Sequence, residues 1–216
     1  MKERPILFNG EMVLGLLDDR KTNSRRPIKG IDPRHYRYDF EGGVLKESSQ
    51  VAGCWHVNRK IKSPYGVKGD RLWVKETFGS KLRNDCMGGS GYFTVYRADN
   101  PDVMEYDYRP IHGKNGAFKK MKWTPSIHMP RWASRITLEI TDVRVERVKD
   151  ISANDALKEG CQATPALYAE YDGEVCPELP ATVEFLNLWD SIYGKTEYAL
   201  ENNPYVWVYE FRRMEP

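Results

Sequence analysis

A chain of 216 residues has room for one full hydrophobic core and shows no linker that would set off a second domain, so a single domain, residues 1–216, is expected. Lys and Arg number 33 against 31 Asp and Glu, which excludes recruitment of an anionic partner by the field of the whole molecule and leaves that task to local clusters. Cys54, Cys86, Cys161 and Cys176 are too dispersed for a closed zinc site, no run nears about twenty apolar residues, and the start Met-Lys-Glu-Arg-Pro holds no export segment; neither metal nor cofactor nor membrane is expected, and a reducing cytoplasm is.

Pro5-Ile6-Leu7-Phe8 reads as a strand, and Asn9 as the N-cap of a helix whose Met12, Val13, Leu16 and Leu17 form an apolar stripe. Directly behind it, the segment from Asp19 to Arg26 carries the cations Arg20, Lys21, Arg25 and Arg26 and the hydroxyls of Thr22 and Ser24. Charges this close repel unless something negative lies among them, so the segment is expected to clamp a polyanion, edge an active site, or do both. Pro27 restricts Arg26 to extended backbone.

Residues 28–68 show little periodicity and are expected to form a long irregular insertion. The turn Gly69-Asp70 then leads into a strand from Arg71 to Phe78, with Leu72, Val74, Glu76 and Phe78 on one face and Trp73, Lys75 and Thr77 on the other. Glu76 on an inward face is either a paired structural carboxylate or a second acid at a pocket. A glycine-rich link from Cys86 to Gly91 lacks the Lys-Ser/Thr ending of a phosphate loop and precedes a strand from Tyr92 to Arg97. Trp73 and Tyr96 are core rings or walls on which a base stacks.

A second irregular insertion is expected at residues 98–133. It closes with Lys119, Lys120 and Lys122 interleaved with Trp123 and Trp132, which combine phosphate contacts with stacking or else plug the rim of a barrel. From Ser134 to Val148 a long strand carries Ile136, Leu138 and Ile140 on one face, then Val143 and Val145 on odd numbers, which predicts a bulge at Thr141-Asp142. The charge run from Arg144 to Lys149 reads equally well as a salt-bridged, solvated surface. Ser152 caps a short helix, with Asp155 at capping-box distance, that passes through Glu159 and stops at Gly160. Thr182 to Tyr193 is an amphipathic helix with Phe185, Leu188, Trp189 and Ile192 inward, and Tyr205 to Phe211 a closing strand. Short strands with few helices predict a mainly β fold, a small barrel with peripheral helices and long loop insertions.

The first helix with Arg20-Lys21-Thr22-Asn23-Ser24-Arg25-Arg26, the segment Gly69 to Thr77, the strand Ile136 to Val148, Asp150-Ile151-Ser152 and the closing Trp207-Val208-Tyr209-Glu210-Phe211 together resemble the ASCH family over nearly the whole chain. Lys119 to Leu138 and Leu188 to Ile192 are most similar to bacteriophage and prophage members. The resemblance implies a barrel like the PUA domain and an association with RNA. Some small ASCH proteins are amidohydrolases that remove the acetyl group from N4-acetylcytidine, using a lysine, a threonine three residues later and a glutamate on the short helix after the central strand. By motif these roles fall on Lys21, Ser24 and Glu159, with Asp19 where the family has glycine and Ser24 in place of threonine. RNA-binding members carry glutamate at the position of Ser24, and other relatives are ribonucleases.

The expectation is therefore recognition of RNA or a modified pyrimidine nucleoside between the Lys21 loop and Glu159, with hydrolysis of an N4-acylcytidine-type amide as its enzymatic form. Ser24 would attack the acyl carbon or position water, Lys21 take the proton, and Glu159 hold the lysine and pass a proton to the departing nitrogen. Arg20, Thr22, Arg25, Arg26, Trp73, Glu76, Tyr96, Lys119, Lys120, Lys122, Trp123 and Trp132 are the expected binding residues. The alternatives are a non-catalytic phage RNA-binding module, a ribonuclease, and a phage structural or host-interaction protein with a protein partner. For a phage-encoded chain the expected location is the bacterial host cytoplasm.

Overall fold

The computed structural model describes residues 1–31, 37–41, 43–51, 54–84, 90–100, 106–110, 118–120, 122–162, 164–165, 170–171, 174–175, 178–179 and 181–215. Its elements are β1 (Glu3–Leu7), α1 (Gly10–Leu17), β2 (Asn23–Pro27), β3 (Arg37–Glu41), β4 (Val44–Val51), β5 (Cys54–Lys62), β6 (Arg71–Lys75), β7 (Phe78–Asn84), β8 (Ser90–Tyr96), β9 (Tyr106–Pro110), β10 (Phe118–Lys120), β11 (Thr137–Arg147), α2 (Ala153–Lys158), the two-residue strands β12 (Thr164–Pro165), β13 (Glu170–Tyr171), β14 (Glu174–Val175) and β15 (Glu178–Leu179), α3 (Ala181–Tyr193) and β16 (Tyr205–Met214). The fold is mainly β with peripheral helices. No helix among the described residues is long and apolar enough to cross a membrane.

A five-stranded sheet in the order β1-β6-β11-β16-β2 organises the molecule. Only the β1–β6 pair is parallel. The margins are β1 and β2, and no ladder among the described residues joins them. Strand β16 explains its own sequence: Val206, Trp207, Val208 and Tyr209 are all buried in succession, because both faces of the sheet are covered. Its odd residues Trp207, Tyr209 and Phe211 pack with Ile6, Val13, Leu16, Leu72, Leu138 and Ile140 beneath α1. Its even residues Val206 and Val208 pack with Ala156, Phe185 and Trp189 of α2 and α3.

The phase change in β11 has the expected cause. Ile140 pairs with Phe211 and Asp142 with Glu210, so Thr141 is the extra residue of a bulge. The strand expected to run to Phe78 instead ends at Lys75, and β7 begins a separate hairpin with β8. Burial continues in phase through Glu76.

Residues 28–68 are a correction: most of the segment is an antiparallel meander, β3-β4-β5. Among its described side chains Phe40, Leu45 and Ile61 reach the core, and charged residues such as Asp39, Lys46, Glu47, Arg59 and Lys60 interrupt the apolar pattern and hide the strands in the sequence. The 98–133 segment likewise contains the β9–β10 hairpin and two 3-10 turns, Ser126–His128 and Arg131–Ala133. The expected glycine-rich link falls at 86–91, of which residues 86–89 lie outside the described residues.

Both helix caps form as the sequence implies. Asn9 Oδ1 accepts from Met12 N–H at 2.8 Å and Ser152 Oγ from Asp155 N–H at 3.1 Å. The Asp155 side chain is committed elsewhere, to Arg25 and Arg144, so the reciprocal half of the expected capping box is absent. At the end of α1, Arg20 N–H donates to Gly15 O and Asp19 N–H to Leu16 O, and Asp19 takes a φ of 56°. This Schellman turn explains why the resemblance places glycine here: a side chain in the left-handed region is strained. Asp19→Gly is expected to raise stability by up to about 1 kcal/mol, read from urea denaturation, the exposed Asp19–Arg213 pair being a small loss.

Candidate functional site

Sheet register sorts the residues of β2 onto two faces. Arg25, Val208 and Arg144 lie in one cross-strand row, and Asn23, Glu210 and Asp142 in the next, on the side covered by α2. Ser24 stands beside Tyr209 and Arg26 beside Trp207 on the opposite face, towards α1. The eight-residue cationic segment is thus divided between two environments.

On the α2 face its charges meet internal carboxylates. Arg25, with a fully buried side chain, donates through Nη2 to Glu146 and Asp155 at 2.9 Å each and through Nη1 to Glu159 at 3.4 Å. Arg144 binds Asp155 and Glu210 at 2.7 and 2.6 Å. The negative counterpart that the cluster demands is supplied by the chain itself. Arg25 is accordingly a structural hub here and not a surface phosphate contact, and the run from Arg144 is salt-bridged through Arg144 and Glu146.

Asp155 feels opposed effects. Burial raises its carboxyl, but the bond from Arg25 and the charge of Arg144 prevail and hold it below the usual aspartate range. A group lowered on folding contributes stability that is complete above its unfolded value, about 3.9, and disappears as pH falls through the folded one. Melting temperatures recorded from pH 6 downward are expected to fall less steeply below about pH 4 for Asp155→Asn than for the parent chain.

Lys21 stands two residues before β2, and its amine meets the C-terminal end of α2. Nζ donates at 2.7 Å to Glu159 Oε2 and at 2.7 Å to the Glu159 carbonyl, and stands 5.7 Å from the centre of the Phe8 ring. These partners are 138 residues apart in sequence. Thr22 N–H secures the junction by donating to Lys158 O at 2.8 Å. Ser24 is 3% exposed and makes no hydrogen bond to Lys21 or Glu159. The structure therefore joins two of the three expected catalytic residues and sets the third on the neighbouring strand face. Cys161 is packed nearby, and burial pushes its thiol up to about 12, so it stays protonated and supplies no nucleophile.

Lys21, Ser24 and Glu159 are absent from the lining of the two clefts that the described residues form at Arg26. The larger opening, about 990 Å³, lies in front of Phe8 and the N-terminus of α1, bordered by Arg26, Glu76, Thr77, Arg97, Ile127 and Ile192. Arg26 Nη2 donates to Leu7 O at 2.6 Å, its buried Nε has no partner, and its guanidinium stacks 5.3 Å from the Phe8 centroid. No carboxylate pairs with Arg26, nor with exposed Arg97, among the described residues. Glu76 is balanced by a two-point bond from Arg135 at 2.9 and 3.0 Å; burial raises its carboxyl and Arg135 opposes. The structural reading of Glu76 holds, and the residue also borders the cleft.

The remaining expected residues scatter. Arg20 is exposed and pairs with Asp18. Trp73 is half-buried, with the Lys75 and Arg131 cations over its ring at 5.6 and 5.9 Å. Tyr96 carries Arg135 at 4.0 Å and donates to Ala133 O at 2.9 Å, so one face is already occupied. Lys122 is exposed, Trp123 half-buried and Trp132 77% exposed; none borders the cleft. The side chains of Lys119 and Lys120 lie outside the described residues. Ile192, expected inward, is 49% exposed at the cleft rim.

Arg97 and Phe8 were not singled out by sequence. Arg97 follows a strand end, where a lone arginine carries no pattern, while Phe8, buried after exposed Leu7, continues the alternation of β1 and so reads as an ordinary core ring. No protein-family model, curated protein or solved structure matches the chain.

Proposed function

We propose that the chain is an ASCH-type, PUA-like barrel protein that recognises RNA or a modified pyrimidine nucleotide, and that the ligand enters the cleft before Phe8. The observation that carries this reading is the pair Arg26 and Arg97, two guanidiniums that no carboxylate pairs among the described residues, on a cleft that also offers an aromatic ring and apolar walls. Guanidiniums provide forked donors for phosphate, and a helix N-terminus adds favourable potential. Glu11 at the rim offers an acceptor for an exocyclic amine. The cytoplasmic location inferred from the sequence is consistent with such a ligand.

Calorimetric titration with cytidine 5′-monophosphate tests it. Arg97→Ala is expected to weaken binding about tenfold and to flatten its dependence on salt, with little change for neutral cytidine. Equal affinities for parent and variant at every salt concentration would remove Arg97 from the site.

The buried contact between Lys21 and Glu159 favours a second, enzymatic reading, hydrolysis of N4-acylcytidine amides. Lys21 lies behind Phe8 and Ser24 shares the Arg26 face, so a substrate in the cleft would approach both from that side. This reading requires Phe8 or the α1 turn to shift and admit the acyl group. A panel of acylated cytidines with the parent, Lys21→Ala and Glu159→Gln decides it: product from the parent alone, with both variants folded, supports hydrolysis, and no product from any leaves binding.

A further inference from the structure

A second, smaller cleft of about 600 Å³ opens on the far side of Arg26, bordered by Lys29, Lys62, Tyr65, Tyr193 and Tyr198. Arg26 lies on both clefts, its guanidinium 5.3 Å from the Phe8 centroid on one side and 6.0 Å from the Tyr65 centroid on the other. It is a shared wall, with one nitrogen held by Leu7 O and Nε buried without a partner. Lys29 and Lys62 are exposed and have no ion-pair partner among the described residues. The tyrosines are fixed from behind: Tyr65 packs edge-on against Tyr209 at 5.5 Å, and Tyr193 lies 4.5 Å from Trp189.

We infer that this cleft is a second nucleotide subsite, and that the ligand is a single-stranded oligonucleotide straddling Arg26, with one base before Phe8 and the next among the tyrosines. The inference rests on the nucleotide reading of the larger cleft and narrows its ligand from a free nucleotide to a strand. Rigid rings supply base stacking at small ordering cost, and Arg26, Lys29 and Lys62, unpaired by carboxylates among the described residues, match the phosphates that flank a base. A phosphate linking the two bases falls beside Arg26, whose free donors suit it. The β3-β4-β5 meander contributes Lys62, so this subsite depends on the segment that the sequence left without regular structure.

The test is calorimetric titration of the full chain with uridine 5′-monophosphate and with a uridylate hexamer over a range of salt, comparing the parent with Lys29→Ala/Lys62→Ala. Both substituted side chains are exposed, so the fold is not at risk. The hexamer is expected to bind the parent at least about tenfold tighter than the monophosphate, through the added stacking. The double variant should lose most of that advantage, lower the salt slope of hexamer binding by about 1.4, and leave the monophosphate unchanged. A hexamer no tighter than the monophosphate, or an advantage that survives in the double variant, overturns the second subsite while the first stands. Failure of both ligands to bind the parent overturns both.

Discussion

Glu159→Leu is expected to destabilise the fold by about 3–5 kcal/mol, because it strands the Lys21 ammonium in a site where its only other hydrogen-bond partner among the described residues is the Glu159 carbonyl. Lys21→Met should cost a similar amount by leaving the carboxylate with Arg25 alone, at 3.4 Å. The double variant Lys21→Met/Glu159→Leu should recover most of the loss, since two apolar chains in place of a buried ion pair spare the desolvation of both charges. Urea denaturation followed by circular dichroism measures all three. The cycle also separates structure from chemistry, for a stable double variant that has lost hydrolysis of an acylcytidine identifies the pair as reactive, whereas one with intact turnover does not. Two additive losses, with no recovery, would show that the charges do not meet.

Trp207→Ala carries the other large expected effect, again about 3–5 kcal/mol. Trp207 is 1% exposed, belongs to the core beneath α1, and receives the Phe40 ring edge-on at 5.7 Å and 71°. It is thus one point where the β3-β4-β5 meander is fastened to the central sheet, beside the core contacts of Leu45 and Ile61, in addition to filling the core. A domain whose whole stability is about 5–15 kcal/mol loses a large fraction of it by this change. Phe40→Ala removes only the meander's side of the contact and should cost less, about 1–2 kcal/mol, while weakening hydrogen-exchange protection along β3 to β5 first. Comparable protection in the meander and the central sheet of Phe40→Ala would show that this ring does not hold the two together.

Local chemistry explains which parts of the molecule were legible in the sequence. Asn9 and Ser152 announce their helices because a cap is a relation between neighbours, and the bulge at Thr141 shows in the switch of apolar positions from even to odd. The closing strand is legible because four consecutive large or branched residues have no other economical place than between two covered faces. The meander was not, since charged residues such as Asp39, Lys46, Glu47, Arg59 and Lys60 interrupt its apolar positions and leave no sustained alternation to detect. Nor could sequence show that Arg25 finds its carboxylates at Glu146, Asp155 and Glu159, which lie 121 to 134 residues away. The proximity of Lys21 and Glu159 was expected only through the resemblance to ASCH hydrolases. The cleft itself is assembled from short pieces of β1, α1, β2 and the segments following β6 and β8, none of which carries a motif for it.

The basic segment ending in Trp132 competes with the cleft as the place where RNA would lie, having cations and an exposed ring of its own. Photocrosslinking of a short single-stranded RNA containing 4-thiouridine, followed by peptide mapping, locates the contact directly. The account predicts adducts on the peptides that hold Phe8, Arg26, Tyr65 or Arg97, suppressed by Arg97→Ala. Adducts confined to residues 118–132, undiminished by that substitution, would contradict it.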